Sequence, residues 1–307
     1  MLKIVYMGTP DFSVLPLKYI FEQSGCELVG VVTNNDKPVG RKKILTPPPV
    51  KVFALENNLP VFQYDSIRKE GVEDIKNLAP DLIITCAFGQ ILSQEIIDIP
   101  KYGIFNIHAS LLPKYRGASP IHHAILNGEK ETGVTIMRTD IGIDTGDILL
   151  SKSLQIGDDE SCGELFNRLS KLGAECVLEA IKLIENGNAT YVKQDETKAS
   201  LTKMIKKEQA KIDWNKSNIE IKNMIRAFNP APVAYTYLNG EPFKVYKATL
   251  LDGEGEPGTI LSSDKQLVLA CGKGAISLTL VQKAGGKAMG IRDFLLGNKL
   301  KVGEKLQ

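Results

Sequence analysis

The spacing of apolar residues changes character about two thirds of the way along the chain. In the first part, short apolar runs alternate with segments that read as helices. The runs occupy residues 3–7, 28–32, 82–86, 104–108, 134–137 and 147–150. Apolar strands separated by helices are typical of a parallel sheet covered by helices on both faces. Residues 1–189 are therefore predicted to form an α/β domain built on a parallel sheet.

The strongest helical signal closes this domain. Ser161 and Glu164 have the spacing of a capping box, and apolar residues recur at helical intervals behind them until residues 186–187. Residues 190–206 lose this periodicity and are mostly polar. This loss predicts a linker between two domains.

Residues 207–307 follow a different pattern. Ser217 and Glu220 predict a second capped helix, and the dipeptide Asn239-Gly240 between two strand-like runs is a hairpin signal. Short strands with glycine-rich turns follow. Their spacing predicts a small antiparallel β-barrel.

Composition limits the class of protein. The chain has 307 residues, 43% hydrophobic and 24% charged, which excludes a disordered chain and allows two domains. No apolar run approaches the ~18 residues of a membrane span, and the N-terminus resembles neither a secretion signal nor an import leader. The five cysteines show no zinc-ligand spacing and are an odd number, which argues against a disulfide framework. We expect a monomer in the bacterial cytoplasm, with no metal and no membrane partner.

Charge is distributed unevenly along the chain. Residues 1–202 contain 21 Lys and Arg against 26 Asp and Glu, whereas residues 203–307 contain 17 against 10. A basic appendage on an acidic body is what a polyanion-binding domain shows. From charge alone, however, a lysine-rich solvated face is the favoured interpretation.

Two segments contain candidate chemistry. Asn106 and His108 are two apart in a predicted strand, so their side chains share a face, and polar residues in a buried strand need a partner or a purpose. Asp140, Asp144 and Asp147 lie in a glycine-containing loop whose spacing excludes an EF-hand. On spacing alone, turn-forming and functional roles are equally supported for these acids.

These segments together resemble a known family. Asn106-x-His108, the following SLLPKYRG (110–117) and IDTGD (143–147) are similar to the folate-dependent formyltransferases. Further matches include MGTPDFSV (7–14), AKIDW (210–214) and QKAGGKAM (282–289), so the resemblance runs from end to end. The C-terminal matches are typical of the members that act on a tRNA.

The resemblance implies a fold and a reaction. The N-terminal domain is expected to be Rossmann-like and the C-terminal barrel to be of the oligonucleotide-binding (OB) type. The formyl group of 10-formyltetrahydrofolate, as co-substrate, is expected to pass to the α-amino group of methionyl-initiator tRNA for the initiation of translation.

The resemblance also implies roles for particular residues. Negative charge develops on the formyl oxygen, so hydrogen-bond donors are needed there. Asn106 and His108 would donate, while Asp144 would orient and charge His108. The folate is expected to contact Ser110, Leu111, Leu112 and Pro113. The tRNA is expected to contact a basic loop with Arg41, Lys42 and Lys43, and also Lys206 and Lys207 near the linker.

Two other functions are weighed against this one. The first keeps the folate but transfers the formyl group to an amino sugar or to water, and the basic second domain argues against it. The second is an RNA-binding module with a vestigial enzyme domain. The intact set of Asn106, His108 and Asp144 argues against that function.

Overall fold

A computed structural model describes residues 1–40 and 42–307. The chain divides into two compact units, each discontinuous in sequence. The first unit is Met1–Gly117, Glu131–Leu154 and Phe166–Thr202, and the second is Ala118–Lys130, Gln155–Leu165 and Lys203–Gln307. Residues 190–202 thus belong to the first unit and residues 203–206 to the second. The predicted domain limits at residues 189 and 207 stay predictions.

The described residues form seventeen strands and nine α-helices. The strands are β1 (Lys3–Gly8), β2 (Glu27–Thr33), β3 (Lys37–Val39), β4 (Ile44–Thr46), β5 (Val61–Gln63), β6 (Leu82–Cys86), β7 (Ile104–His108), β8 (Arg116–Gly117), β9 (Glu131–Arg138), β10 (Ile148–Gln155), β11 (Leu201–Thr202), β12 (Ala234–Leu238), β13 (Glu241–Leu251), β14 (Ile260–Ser262), β15 (Leu267–Ala270), β16 (Ala275–Lys283) and β17 (Met289–Gly290). The helices are α1 (Val14–Gln23), α2 (Pro49–Glu56), α3 (Ile67–Glu70), α4 (Val72–Leu78), α5 (Gln94–Ile97), α6 (Pro120–Leu126), α7 (Cys162–Glu185), α8 (Asn218–Ala227) and α9 (Ile291–Gly297).

The first unit contains a seven-stranded sheet in the order β10-β9-β7-β6-β1-β2-β5. Neighbours from β7 to β5 pair in parallel, which confirms the predicted parallel sheet. Strand β9 is antiparallel to β7, with Thr135 opposite His108 and Arg138 opposite Phe105. The chain enters β9 at the edge where β7 ends, so it must run back in the opposite direction.

Burial explains why these runs form the central strands. In β1 the side chains of Ile4, Val5, Tyr6 and Met7 are fully buried, as expected for a strand covered on both faces.

The capping box predicted before α7 is present, since the Ser161 hydroxyl accepts from the Glu164 amide and the Glu164 carboxylate accepts from the Ser161 amide. Leu165 and Leu169 on this helix are fully buried.

The second unit contains an antiparallel sheet in the order β12-β13-β16-β15-β14, with β17 paired to β16. This arrangement confirms the predicted small antiparallel domain. Asn239 and Gly240 both have positive φ angles at the β12–β13 turn, the conformation that such a hairpin needs. The rings of Phe243 and Phe294 pack at 5.1 Å in its core. Over residues 1–40 and 42–307, no helix is long and apolar enough to cross a membrane.

Candidate active site

Strand β7 presents a polar pair at the carboxyl edge of the parallel sheet. His108 is only 5% exposed and Asn106 is half-buried. The neighbouring strand β6 places Thr85 opposite Asn106, and the Thr85 hydroxyl donates to Asn106 Oδ1 over 3.0 Å. Because that oxygen is the acceptor, the amide group of Asn106 points its Nδ2 away from Thr85.

The Asp144 carboxylate lies against both residues. Asn106 Nδ2 donates to Oδ1 over 3.4 Å, and His108 Nδ1 is 3.5 Å from Oδ2. The Gly117 amide donates to the same Oδ2 over 2.7 Å. The structure therefore brings together the three residues that the sequence singled out, although 36 positions separate His108 from Asp144.

The second ring nitrogen of His108 determines where its protons lie. Nε2 is 2.9 Å from the carbonyl oxygen of Tyr115, and a carbonyl can only accept. Nε2 therefore carries a proton, and Nδ1 is the nitrogen directed at Asp144. Tyr115 and Asp144 both have left-handed backbone angles, φ of 61° and 52°. Such sparsely populated angles concentrate at functional sites.

The segment 110–113 packs beside this cluster through Thr135. The Thr135 hydroxyl donates to the Ser110 carbonyl over 2.7 Å and accepts from the Leu112 amide over 3.2 Å. Ser110 and Leu112 are buried, whereas Leu111 and Pro113 are half-buried. Any ligand of this segment therefore meets Leu111 and Pro113 more readily than the Ser110 hydroxyl, which donates to the Lys114 carbonyl.

The predicted basic positions lie on the surface. Lys42 and Lys43 are exposed in the turn between β3 and β4, and Arg41 lies outside the described residues. In the second unit, Lys206 and Lys207 are exposed at the start of a short 3₁₀ helix. The Lys206 backbone amide donates to Gln209 Oε1 over 2.7 Å, which caps this short helix.

A second polar group at the site was not anticipated from the sequence. Gln194 donates through Nε2 to the carbonyl oxygens of Asp144 and Gly146, over 2.8 and 2.7 Å. Its Oε1 accepts from Arg116, which also forms an ion pair with Glu196 at 2.7 Å. An isolated glutamine in an aperiodic segment gives no sequence pattern that would have pointed to this contact.

Charge pairing stabilises the Arg116 guanidinium. Arg116 is 4% exposed, and its hydrogen bonds with Glu196 raise the pKa of the guanidinium despite burial. The same contact lowers the pKa of the Glu196 carboxyl. Within the described part of the chain, no group of three His, Cys, Asp or Glu side chains could hold a metal ion.

Fold and site together define an enzyme of the α/β class with an additional antiparallel domain. Residues 2–181 match the family described as formyl transferase, and residues 204–299 match the formyl transferase C-terminal domain. The chain belongs to the formyl transferase family.

Curated relatives match along the whole chain. It is 45% identical to the methionyl-tRNA formyltransferase of Alkaliphilus oremlandii, covering 99% of each chain. It is 48% identical to that of Bacillus licheniformis, covering 100% of this chain and 98% of the relative.

Solved structures of other formyltransferases share the fold. The N-formyltransferase from Helicobacter canadensis, in complex with folinic acid and dTDP-3-aminofucose, matches with a TM-score of 0.70 at 25% identity, over 92% of this chain and 100% of that one. The sugar 3N-formyl transferase WlaRD, determined in the presence of dTDP and 5-N-formyl-THF, matches with a TM-score of 0.68 at 26% identity, over 94% and 99%.

Proposed function

We propose that this chain transfers the formyl group of 10-formyltetrahydrofolate to the α-amino group of methionyl-initiator tRNA. The observation that carries the proposal is the convergence of Asn106, His108 and Asp144 in a chain that matches methionyl-tRNA formyltransferases from end to end. The product, N-formylmethionyl-tRNA, serves the initiation of translation. The protein acts as a monomer in the cytoplasm.

The residues around the cluster suit a folate. A flat pterin needs apolar walls together with backbone hydrogen-bonding groups. Leu111 and Pro113 supply half-buried apolar surface, and Ile141 and Ile143 are exposed in the loop that carries Asp144. The folate supplies an activated formyl carbon when bound. Ser110 and Leu112 support this wall from within, through Thr135.

Asn106 acts as a hydrogen-bond donor to the formyl oxygen. An amide has two N–H groups, and Asp144 occupies one of them over a long 3.4 Å contact. The other N–H is available to an oxygen on which negative charge develops. Because Thr85 fixes the orientation of the amide, this donor is in place before substrate binds.

His108 and Asp144 handle the proton. The attacking amine must lose one proton, and the nitrogen that leaves the formyl carbon must gain one. His108 Nε2–H is held by the Tyr115 carbonyl, so Nδ1 is the nitrogen that exchanges protons and that, when protonated, donates to the formyl oxygen beside Asn106. The Asp144 carboxylate, 3.5 Å from Nδ1, stabilises the imidazolium and orients the ring.

The basic side chains contact the tRNA. Lys42 and Lys43 belong to the turn between β3 and β4, Arg41 precedes them in the sequence, and Lys206 and Lys207 precede the barrel. Such contacts with phosphate give affinity without sequence preference, and this affinity falls as salt rises.

The test is formyl transfer from radiolabelled 10-formyltetrahydrofolate to charged initiator tRNA, to a dTDP-amino sugar and to water. Wild-type transfer to the tRNA, with a loss of at least ~100-fold in His108→Ala, is expected. Transfer to the amino sugar or to water in preference to the tRNA would contradict the proposed acceptor. An unchanged rate in His108→Ala would contradict the proposed site.

A further inference from the structure

Gln194 connects the polar segment 190–202 to the loop that carries Asp144. Its Nε2 donates to two carbonyl oxygens of that loop, those of Asp144 and Gly146, over 2.8 and 2.7 Å. Its Oε1 accepts two hydrogen bonds from Arg116, from Nε over 3.0 Å and from Nη2 over 2.9 Å. The side-chain amide therefore makes four hydrogen bonds within the first unit.

Only a glutamine satisfies these four contacts. Carbonyl oxygens only accept and a guanidinium only donates, so the amide has a single possible orientation. A glutamate at this position would keep the contact with Arg116 but would direct an oxygen at the two carbonyls. The change Gln194→Glu is therefore nearly isosteric. It removes the two hydrogen bonds to the carbonyls of Asp144 and Gly146 and keeps those from Arg116.

Arg116 has a second partner besides Gln194. It is buried, and Glu196 pairs with it through two hydrogen bonds of 2.9 and 2.7 Å. The two residues that flank Arg116 contact the reactive cluster: the Tyr115 carbonyl meets His108 Nε2, and the Gly117 amide donates to the Asp144 carboxylate. Gln194 thus joins the segment that holds His108 to the loop that holds Asp144.

We propose that Gln194 is a positioning residue of the formyl-transfer site, an inference that rests on the proposed function. It fixes the left-handed backbone of Asp144 so that the carboxylate meets His108 and Asn106 together. The segment 190–202, polar and aperiodic in sequence, is then part of the catalytic site.

The first test compares kinetics of Gln194→Glu with those of Gln94→Glu. Gln94 lies exposed on α5 and undergoes the same chemical change away from the site. We expect kcat of Gln194→Glu to fall about 10–100-fold, the effect of losing two partly buried hydrogen bonds that hold Asp144, while KM for both substrates changes less than about threefold. The control should keep wild-type kcat. A kcat of Gln194→Glu within twofold of wild type would overturn the proposal.

The second test asks whether Gln194 acts through Asp144. Gln194→Ala is measured alone and in an Asp144→Ala background. If Gln194 works by placing that carboxylate, its removal costs nothing further once the carboxylate is gone. Equal losses in both backgrounds would assign Gln194 a general structural role and overturn the proposal.

A spectroscopic measurement separates this inference from the proposed function. The Gly117 amide proton, in its 2.7 Å hydrogen bond to Asp144, is observed by NMR in the full chain without substrate. We expect its resonance to move upfield in Gln194→Glu and not in Gln94→Glu, whichever acceptor the enzyme uses. An unmoved resonance would refute the positioning role, whereas a wild type that formylates no methionyl-tRNA would refute only the proposed acceptor.

Discussion

Replacing Asp144 by asparagine should remove most of the activity although the two side chains have the same shape. The carboxylate receives the Gly117 amide at 2.7 Å, Asn106 Nδ2 at 3.4 Å and the His108 Nδ1 edge at 3.5 Å. An asparagine has one acceptor oxygen and one donor nitrogen. If the oxygen faces Gly117, the nitrogen opposes Asn106 Nδ2; if the oxygen faces Asn106, the nitrogen opposes the Gly117 amide.

The structure sets the scale of two separate effects. Either orientation leaves one donor without a partner, at about 1–3 kcal/mol for a buried group. Since the Asp144 side chain is 17% exposed, the lower half of that range applies, and Tm should fall by a few degrees. The rate effect is larger, because the charge that stabilises a protonated His108 is lost. We expect kcat to fall by about 10²–10⁴-fold, the range for general acid–base groups.

The assay is single-turnover formyl transfer at saturating co-substrate, with Asp140→Asn as the matched control. Asp140 lies in the same loop, and its Oδ1 accepts from the Gly142 amide and the Thr145 hydroxyl, contacts that an asparagine oxygen can keep. The control should retain its rate within about threefold. If Asp144→Asn also did so, the carboxylate would have no part in proton handling, and the reasoning would fail.

Three further measurements test other parts of the chain. Burial raises the pKa of the Cys86 thiol to about 12, so about one thiol in 10⁴ is ionised at pH 8. We therefore expect Cys86 not to react with a disulfide reagent until the protein is unfolded. Rapid labelling of Cys86 in the native protein would contradict this. Burial lowers the pKa of His122, so the unfolded state takes up a proton near pH 6.5 that the folded state does not. Stability of the second unit, followed by the fluorescence of Trp214, should therefore decrease from pH 7 to pH 5, and less steeply in His122→Gln; equal slopes would refute this. Removing both Lys206 and Lys207 should reduce the slope of log K for tRNA against log salt by up to about 1.4–1.8, and an unchanged slope would exclude phosphate contacts there.

The fold could be predicted wherever burial produces a regular pattern of apolar residues along the sequence. The runs of β1, β6 and β7 are apolar because both faces of the parallel sheet are buried there. The two-residue period of a strand was enough to place Asn106 and His108 on one face. Asp144 could be selected by resemblance but not by spacing, because its contacts depend on a loop conformation.

Gln194 lay beyond sequence reasoning for a physical reason. Its partners are two backbone carbonyls and the guanidinium of Arg116, which is 78 positions away, and neither kind of partner produces a periodic pattern near residue 194. Residues 190–206 are polar and lack helical periodicity, which predicted a linker. These properties reflect hydrogen bonding to a neighbouring loop as well as exposure to solvent. A polar segment is therefore ambiguous until its partners are known.

Glycines explain how these loops come close enough to form the site. A Cβ on Gly117 would lie 2.6 Å from the carbonyl oxygen of Thr202, where β8 pairs with β11, and φ there is 97°. A Cβ on Gly146 would overlap the Arg138 carbonyl oxygen at the end of β9. Both glycines thus permit backbone contacts that larger residues would prevent. Each also takes part in holding Asp144: the Gly117 amide donates to its carboxylate, and the Gly146 carbonyl accepts from the same Gln194 side chain as the Asp144 carbonyl does. Gly117 and Gly146 therefore contribute to the chemistry indirectly. They allow the backbone segments to come close enough to hold the Asp144 carboxylate in place.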